Sequence, residues 1–420
     1  MNDAARAHGR STAPAARRST APPAAAAATA TVAEAVGALI EQRTIVVCCG
    51  SGGVGKTTVS AALALHGARL GRRTCVVTID PAKRLANALG VDNLSNTASR
   101  IDGPWDGELW ALMLDPKGTF DDLVRKYAAD DAQAEAILAN GIYRNLTSAL
   151  SGTQEYMAME KLYELAQEGG FELIVVDTPP SRNALDFLDA PGRLTRFLGH
   201  RLFQFLLMPT RAYLRAVSVA TQVLLRTISK VAGAEMVHDA VTFFQAFEGM
   251  EEGFRLRAGH MRKLLGRATT AFVLVTSPRR DSVAEAGWFA DKLNDGGLAV
   301  EALVVNRVYP SFTTRRQGSG EAGRDTVADA AATRLLLDSL PDAPEGSALA
   351  DLAANLRDLA ALNMEEEETI RELVAQVAPS PVARIPLLDV DVHDVDGLTQ
   401  VADAVFGRTA TPDGRQRRPG

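Results

Sequence analysis

Along most of the chain, short apolar runs rich in β-branched residues alternate with longer amphipathic stretches. This is the pattern of a parallel sheet covered by helices on both faces. The runs predict strands at 44–49, 74–80, 109–114, 173–177, 272–276 and 303–306, with a late strand at 382–388. Helical spacing marks the segment from Val59 to Leu70, and again Leu349, Leu352, Leu356 and Leu359. Between 191 and 265 strand signals stop, and Leu, Phe and Met recur with Arg at helical spacing, which predicts a helical insertion. The segment 311–326, with Arg315, Arg316, Gly318 and Gly320, reads as an exposed polar loop. The expected fold class is therefore α/β: a doubly wound, mainly parallel sheet flanked by helices, in one domain over 40–406. An Ala/Pro-rich disordered tail is expected at 1–35 and a basic one at 407–420.

The first strand leads into Gly50-Ser51-Gly52-Gly53-Val54-Gly55-Lys56-Thr57-Thr58, and a helical pattern follows at once. Strand, glycine-rich loop with Lys-Thr, then helix is the setting of a phosphate-binding loop, and it makes the fold a P-loop NTPase. Glycines let backbone N–H groups converge on phosphate oxygens; Lys56 supplies a cation for the terminal phosphates, and the Thr57 hydroxyl is a ligand for Mg²⁺. The expected cofactors are ATP and Mg²⁺. No second copy of the loop occurs, so the chain carries one nucleotide site.

Hydrolysis of a γ-phosphate also needs an oriented water and a carboxylate on the metal. Asp80, in Thr78-Ile79-Asp80-Pro81-Ala82-Lys83, falls at the carboxyl end of the second strand, where open α/β sheets bind ligands. It is the candidate to orient water; the alternative is an Asp-Pro turn starter. Leu173-Ile174-Val175-Val176-Asp177, followed by Thr178-Pro179-Pro180, has the form of a Walker B strand and switch loop. Asp177 would hold Mg²⁺ through water, or else cap a helix.

Composition narrows the reading. The 420 residues carry a net charge of −6, which argues against a general nucleic-acid binder, and no window has the ~18 apolar residues of a membrane span. Cys48, Cys49 and Cys75 sit in or beside predicted strands with no metal-ligand spacing, which excludes a familiar zinc site and fits a reducing, cytoplasmic compartment. His66, His200, His238 and His260 likewise show no metal spacing, and the acidic run 365–368 reads as a solvated face. In the insertion, Phe203, Leu207, Met208, Phe243 and Phe247 are either core or an adaptable apolar groove; nearby arginines would suit acidic lipid at a membrane periphery.

These motifs resemble the arsenical-pump and tail-anchored-protein-targeting ATPase family, part of the larger group with septum-site and partition ATPases and nitrogenase iron protein. The marks are Gly-Gly-Val-Gly-Lys-Thr-Thr at 52–58, Asp80-Pro81-Ala82, Asp177-Thr178-Pro179-Pro180 and Val304-Val305-Asn306-Arg307, with weaker ones at Thr276-Ser277-Pro278 and Ile385-Pro386-Leu387-Leu388. The alanine-rich start and Ser151-Gly152-Thr153-Gln154-Glu155-Tyr156 are most similar to actinobacterial members. The resemblance implies an ATP-driven dimer in which Asn306, with Arg307 beside it, reads adenine, and in which a helical region handles a hydrophobic or membrane-protein client. It leaves open a slow regulatory switch in a heteromeric complex, or an anion-pump-type subunit. Clustered thiolates for arsenite or an iron–sulfur centre are missing, as are zinc-clasp cysteines.

One departure bears on mechanism. The family usually has a lysine after the first loop glycine, reaching across the dimer to the other subunit's phosphates; here the residue is Ser51. Either Lys83 or Arg84 supplies the charge in cis, or a homologous subunit that keeps the lysine supplies it. The expectation at this level is the second, a heterodimer rather than a homodimer.

Overall fold

The computed structural model describes residues 31–80, 82–141, 143, 153–179, 251–309, 348–389 and 391–407. Among them, eight strands form one sheet in the order β3-β4-β2-β5-β1-β6-β7-β8. Their ranges are β1 Ile45–Cys49, β2 Arg73–Thr78, β3 Ser99–Ile101, β4 Glu108–Met113, β5 Leu173–Asp177, β6 Thr270–Thr276, β7 Val300–Val308 and β8 Val382–Pro386. Every pairing is parallel except β3 with β4. The predicted strands all appear, with shifted ends. The second stops at Thr78, so Asp80 lies beyond the strand, and β3, a three-residue edge strand with one buried side chain, was not anticipated.

Successive residues of β1 enter different cores: Ile45, Val47 and Cys49 pack on one face, Val46 and Cys48 on the other. That is why these strands read as unbroken apolar runs; a parallel sheet buried on both faces has no polar side to alternate with. The helix after the phosphate loop, α2 (Lys56–Arg69), is buried along nearly its whole length, which explains its run of Ala and Leu. At its end His66 stacks on Phe406 of the C-terminal helix Val395–Phe406, with ring centroids 3.6 Å apart and planes within 3°. Burial pulls the His66 imidazole down to about 4.

The N-terminal helix α1 (Val32–Gln42) starts inside the stretch 1–35 assigned to a tail by composition. Thr31 and Glu34 form a capping box there, each side chain accepting from the other's backbone N–H. Arg72 fastens this helix to the sheet edge. Its guanidinium donates to the carbonyls of Ile40, Arg43 and Glu172. Of the expected insertion, only its last part is described, as the helix Glu251–Leu265, where Arg257 donates to the buried Glu160. Phe203, Leu207, Met208, Phe243 and Phe247, with the loop 311–326, lie outside the described residues.

Candidate nucleotide site

The carboxyl ends of the central strands converge on a cavity of about 420 Å³. The loop leaving β1 turns sharply at its start: Gly50 has φ 151°, and a Cβ there would lie 2.0 Å from the Val275 carbonyl oxygen. Only glycine permits this approach to β6. Gly53 (φ 78°) and Gly55 (φ 92°) are left-handed, the second as N-cap of α2. A helix N-terminus without a side-chain cap leaves its amides available to an anion.

Lys56 is 5% exposed and donates its ammonium to the carbonyls of Gly50 and Ser51, at 2.9 and 2.7 Å. Burial holds its pKa below the ordinary lysine value, with the Asp177 carboxylate opposing that effect. The Ser51 side chain is buried, and its hydroxyl has no hydrogen-bond partner. Gly52 is exposed at the loop's crest, while Gly53, Gly55, Lys56, Thr57 and Thr58 all line the cavity.

The register of the sheet assembles the carboxylate side. Asp177 ends β5 beside Cys48 of β1 and Thr78 of β2. Its Oδ2 accepts from the hydroxyls of Thr57 and Thr78, both at 2.8 Å, and its Oδ1 is buried without a partner. Desolvation pushes this carboxyl up to about 6, against the two hydroxyl hydrogen bonds and the Lys56 charge. A buried, half-satisfied carboxylate joined to a threonine hydroxyl at the head of the loop is the oxygen donor set a hard cation such as Mg²⁺ takes, so the residues fit that ion. The helix-capping alternative does not hold for Asp177, whose partners are Thr57 and Thr78. Thr78, which fixes the carboxylate, carried no sequence signal beyond its place in a strand.

Asp80 also lines the cavity. Its Oδ1 accepts from the N–H of Ala82 at 3.0 Å, an Asx turn, so the turn-forming role is present alongside any role toward water. Behind it, Gln154 donates to the Ile79 carbonyl at 3.1 Å, tying the helix Thr153–Glu168 to this turn. Thr178 donates to the Cys48 carbonyl at 2.7 Å and lines the cavity too.

Asn306 and Arg307 reach the site from β7. The Asn306 amide donates to the Val54 carbonyl at 2.8 Å and accepts from the Arg307 N–H at 3.0 Å, and the residue is 8% exposed. It lines the cavity, but its first task is to hold the phosphate loop. Arg307 sits in a bulge of the ladder with β8, at φ 63°, and donates to the Gly53 carbonyl at 3.3 Å. The remaining wall comes from Pro386, Leu387, Leu388, Asp391, Val392 and His393, an apolar shelf with polar edges next to Asn306. His393 and Arg84, both in the wall, were not among the residues singled out for nucleotide binding.

Comparison with known proteins gives a family and distant relatives. Residues 43–322 match the family described as anion-transporting ATPase. The chain is 31% identical over 163 residues to the ATPase GET3 of Chaetomium globosum, covering 38% of this chain and 47% of that protein. It is 33% identical over 167 residues to the ATPase GET3 of Ajellomyces dermatitidis, and 31% over 167 residues to the ATPase get3 of Aspergillus terreus, with the same coverage. The chain thus spans about half the length of the curated relatives it matches.

Proposed function

Since the chain belongs to the anion-transporting ATPase family, we propose that it binds ATP with Mg²⁺ in the β1–α2 cavity and hydrolyses the γ-phosphate to drive a change of shape. The observation that carries this reading is the junction of Thr57, Asp177 and Thr78 beside the buried Lys56, on the wall of a cavity large enough for a nucleotide.

Loop amides and Lys56 bind the phosphates, and the shelf at 386–388 with Asn306 takes the base. Thr57 directly, and Asp177 through water, would hold Mg²⁺, which when bound neutralises charge on the β and γ oxygens. Asp80 orients the attacking water from the turn after β2. Water oxygen bonds to the γ phosphorus, the bond to the β–γ bridging oxygen breaks, and ADP and phosphate leave. Loss of the terminal phosphate releases the Asp80 and Thr178 turns, and Gln154 passes the movement at Ile79 to a helix of the opposite core.

The output we propose is a dimer cycle acting on hydrophobic or membrane-protein clients in the cytoplasm. It is supported by the family resemblance and by the free, buried state of Cys48, Cys49 and Cys75. Among the described residues no helix is long and apolar enough to cross a membrane. A second output, a slow nucleotide switch within a heteromeric complex, is favoured by the uncharged Ser51.

Titration calorimetry with MgATP, joined to phosphate-release kinetics, tests the site. Uptake and turnover that both disappear in Lys56→Ala are expected. Equal heats for the wild type and that variant would end the proposal. Nucleotide-dependent capture of a synthetic transmembrane peptide separates the two outputs.

A further inference from the structure

The switch end of the cavity carries a cation that the phosphate loop does not supply. Lys56 has its ammonium against two loop carbonyls, and Ser51 offers only a buried hydroxyl. The second arginine of the wall, Arg307, is tied to the Gly53 carbonyl.

Two charged residues follow Asp80, and the fold treats them differently. Lys83 turns outward and donates to Asn93 Oδ1 at 2.7 Å, and it is not part of the cavity wall. Arg84, first residue of the short helix Arg84–Ala88, lines the cavity with its guanidinium 3.4 Å from Asp80 Oδ2. Its side chain is 59% exposed, against 12% for Asp80. A pair so open to water adds little to stability, so the fold has no need of an arginine there. A triphosphate does: the guanidinium stays charged and offers a planar donor fork that matches phosphoryl oxygens.

Building on the reading of this cavity as an ATP site, we propose that Arg84 is a catalytic residue that supplies in cis the cation for the γ-phosphoryl group. As nucleotide binds, its guanidinium passes from Asp80 Oδ2 to the γ-phosphate oxygens, which frees the Asp80 carboxylate to orient water. In the reaction the new bond joins water oxygen to phosphorus, the electron pair of the broken bond stays on the bridging oxygen of ADP, and the water proton leaves with the phosphate. Arg84 keeps its protons throughout and holds the charge that grows on the transferring group. One chain then contains the full set of charges, and no lysine from a homologous subunit is required.

The test compares the wild type, Arg84→Ala, Arg84→Lys, Lys83→Ala and Lys56→Ala as full chains, by phosphate release and by calorimetry with MgATP. Arg84→Ala is expected to lower kcat about a hundredfold while its Kd stays near the wild-type value. Arg84→Lys should recover part of the rate, added guanidinium ion should restore turnover in Arg84→Ala, and Lys83→Ala should match the wild type. Wild-type kcat in Arg84→Ala overturns the proposal, as does equal loss of kcat and binding without guanidinium rescue. Turnover per chain that rises with protein concentration while ignoring Arg84 assigns the charge to a second subunit, and also overturns it. Failure of the underlying site reading looks different: the wild type itself then releases no phosphate and gives the same heats as Lys56→Ala.

Discussion

Replacing Gly55 by alanine tests how the phosphate loop is held. Gly55 is left-handed at φ 92°, and an added Cβ would lie 2.2 Å from Asn306 Nδ2. The backbone conformation alone costs an L-residue about 1–2 kcal/mol. The contact adds a second cost, because Asn306 must swing away and give up the bonds to the Val54 carbonyl and the Arg307 N–H. Leaving a buried polar group without its partner costs about 1–3 kcal/mol. The total is roughly 2–5 kcal/mol, read as loss of stability in urea unfolding followed by circular dichroism. In an Asn306→Ala background the contact is already gone, so Gly55→Ala should cost only about 1–2 kcal/mol there. The same penalty in both backgrounds would refute the contact as its source.

Three further outcomes follow from the same geometry. Lys56→Ala removes two charge-assisted bonds to the loop as well as the phosphate partner, and MgATP should bind it about a hundredfold or more weakly by calorimetry. Arg72→Ala frees three carbonyls at the edge of the sheet and should lower unfolding stability by about 2–4 kcal/mol, with nucleotide affinity unchanged. His66 has its pKa lowered by burial, so its contribution is complete above the unfolded value near 6.5 and is lost as pH falls through about 4. His66→Phe keeps the stack on Phe406 and should lose up to roughly 3 kcal/mol less stability over that interval than the wild type, by urea melts at stepped pH.

The parts of the fold legible in the sequence were those with a local cause. Strands buried on both faces announce themselves as apolar runs, and the phosphate loop needs its glycines in order along the chain, so β1, β5 and residues 50–58 could be read directly. β3 could not. With two of its three residues exposed, it pairs antiparallel with β4 on the rim, and only its neighbour gives it a reason to extend. The choice between Lys83 and Arg84 was illegible for a similar reason: they are adjacent and equally charged, and only the turn after Asp80 sends one to Asn93 and the other into the cavity. Asn306 looked like a base reader and is also a clamp on Val54, a contact 252 residues distant along the chain.

The grip of Asn306 and Arg307 on consecutive carbonyls, Val54 and Gly53, reaches over an intervening strand, since β6 lies between β1 and β7. Just past them, Tyr309 is moored at both ends of its peptide to the thirty-residue helix Ala348–Val377, its N–H donating to Glu366 and its carbonyl accepting from Asn363. That helix therefore has a lever on the cradle without touching what the cradle holds: tug the rod lengthwise, and the strain arrives at the two peptide groups that shape the anion's seat.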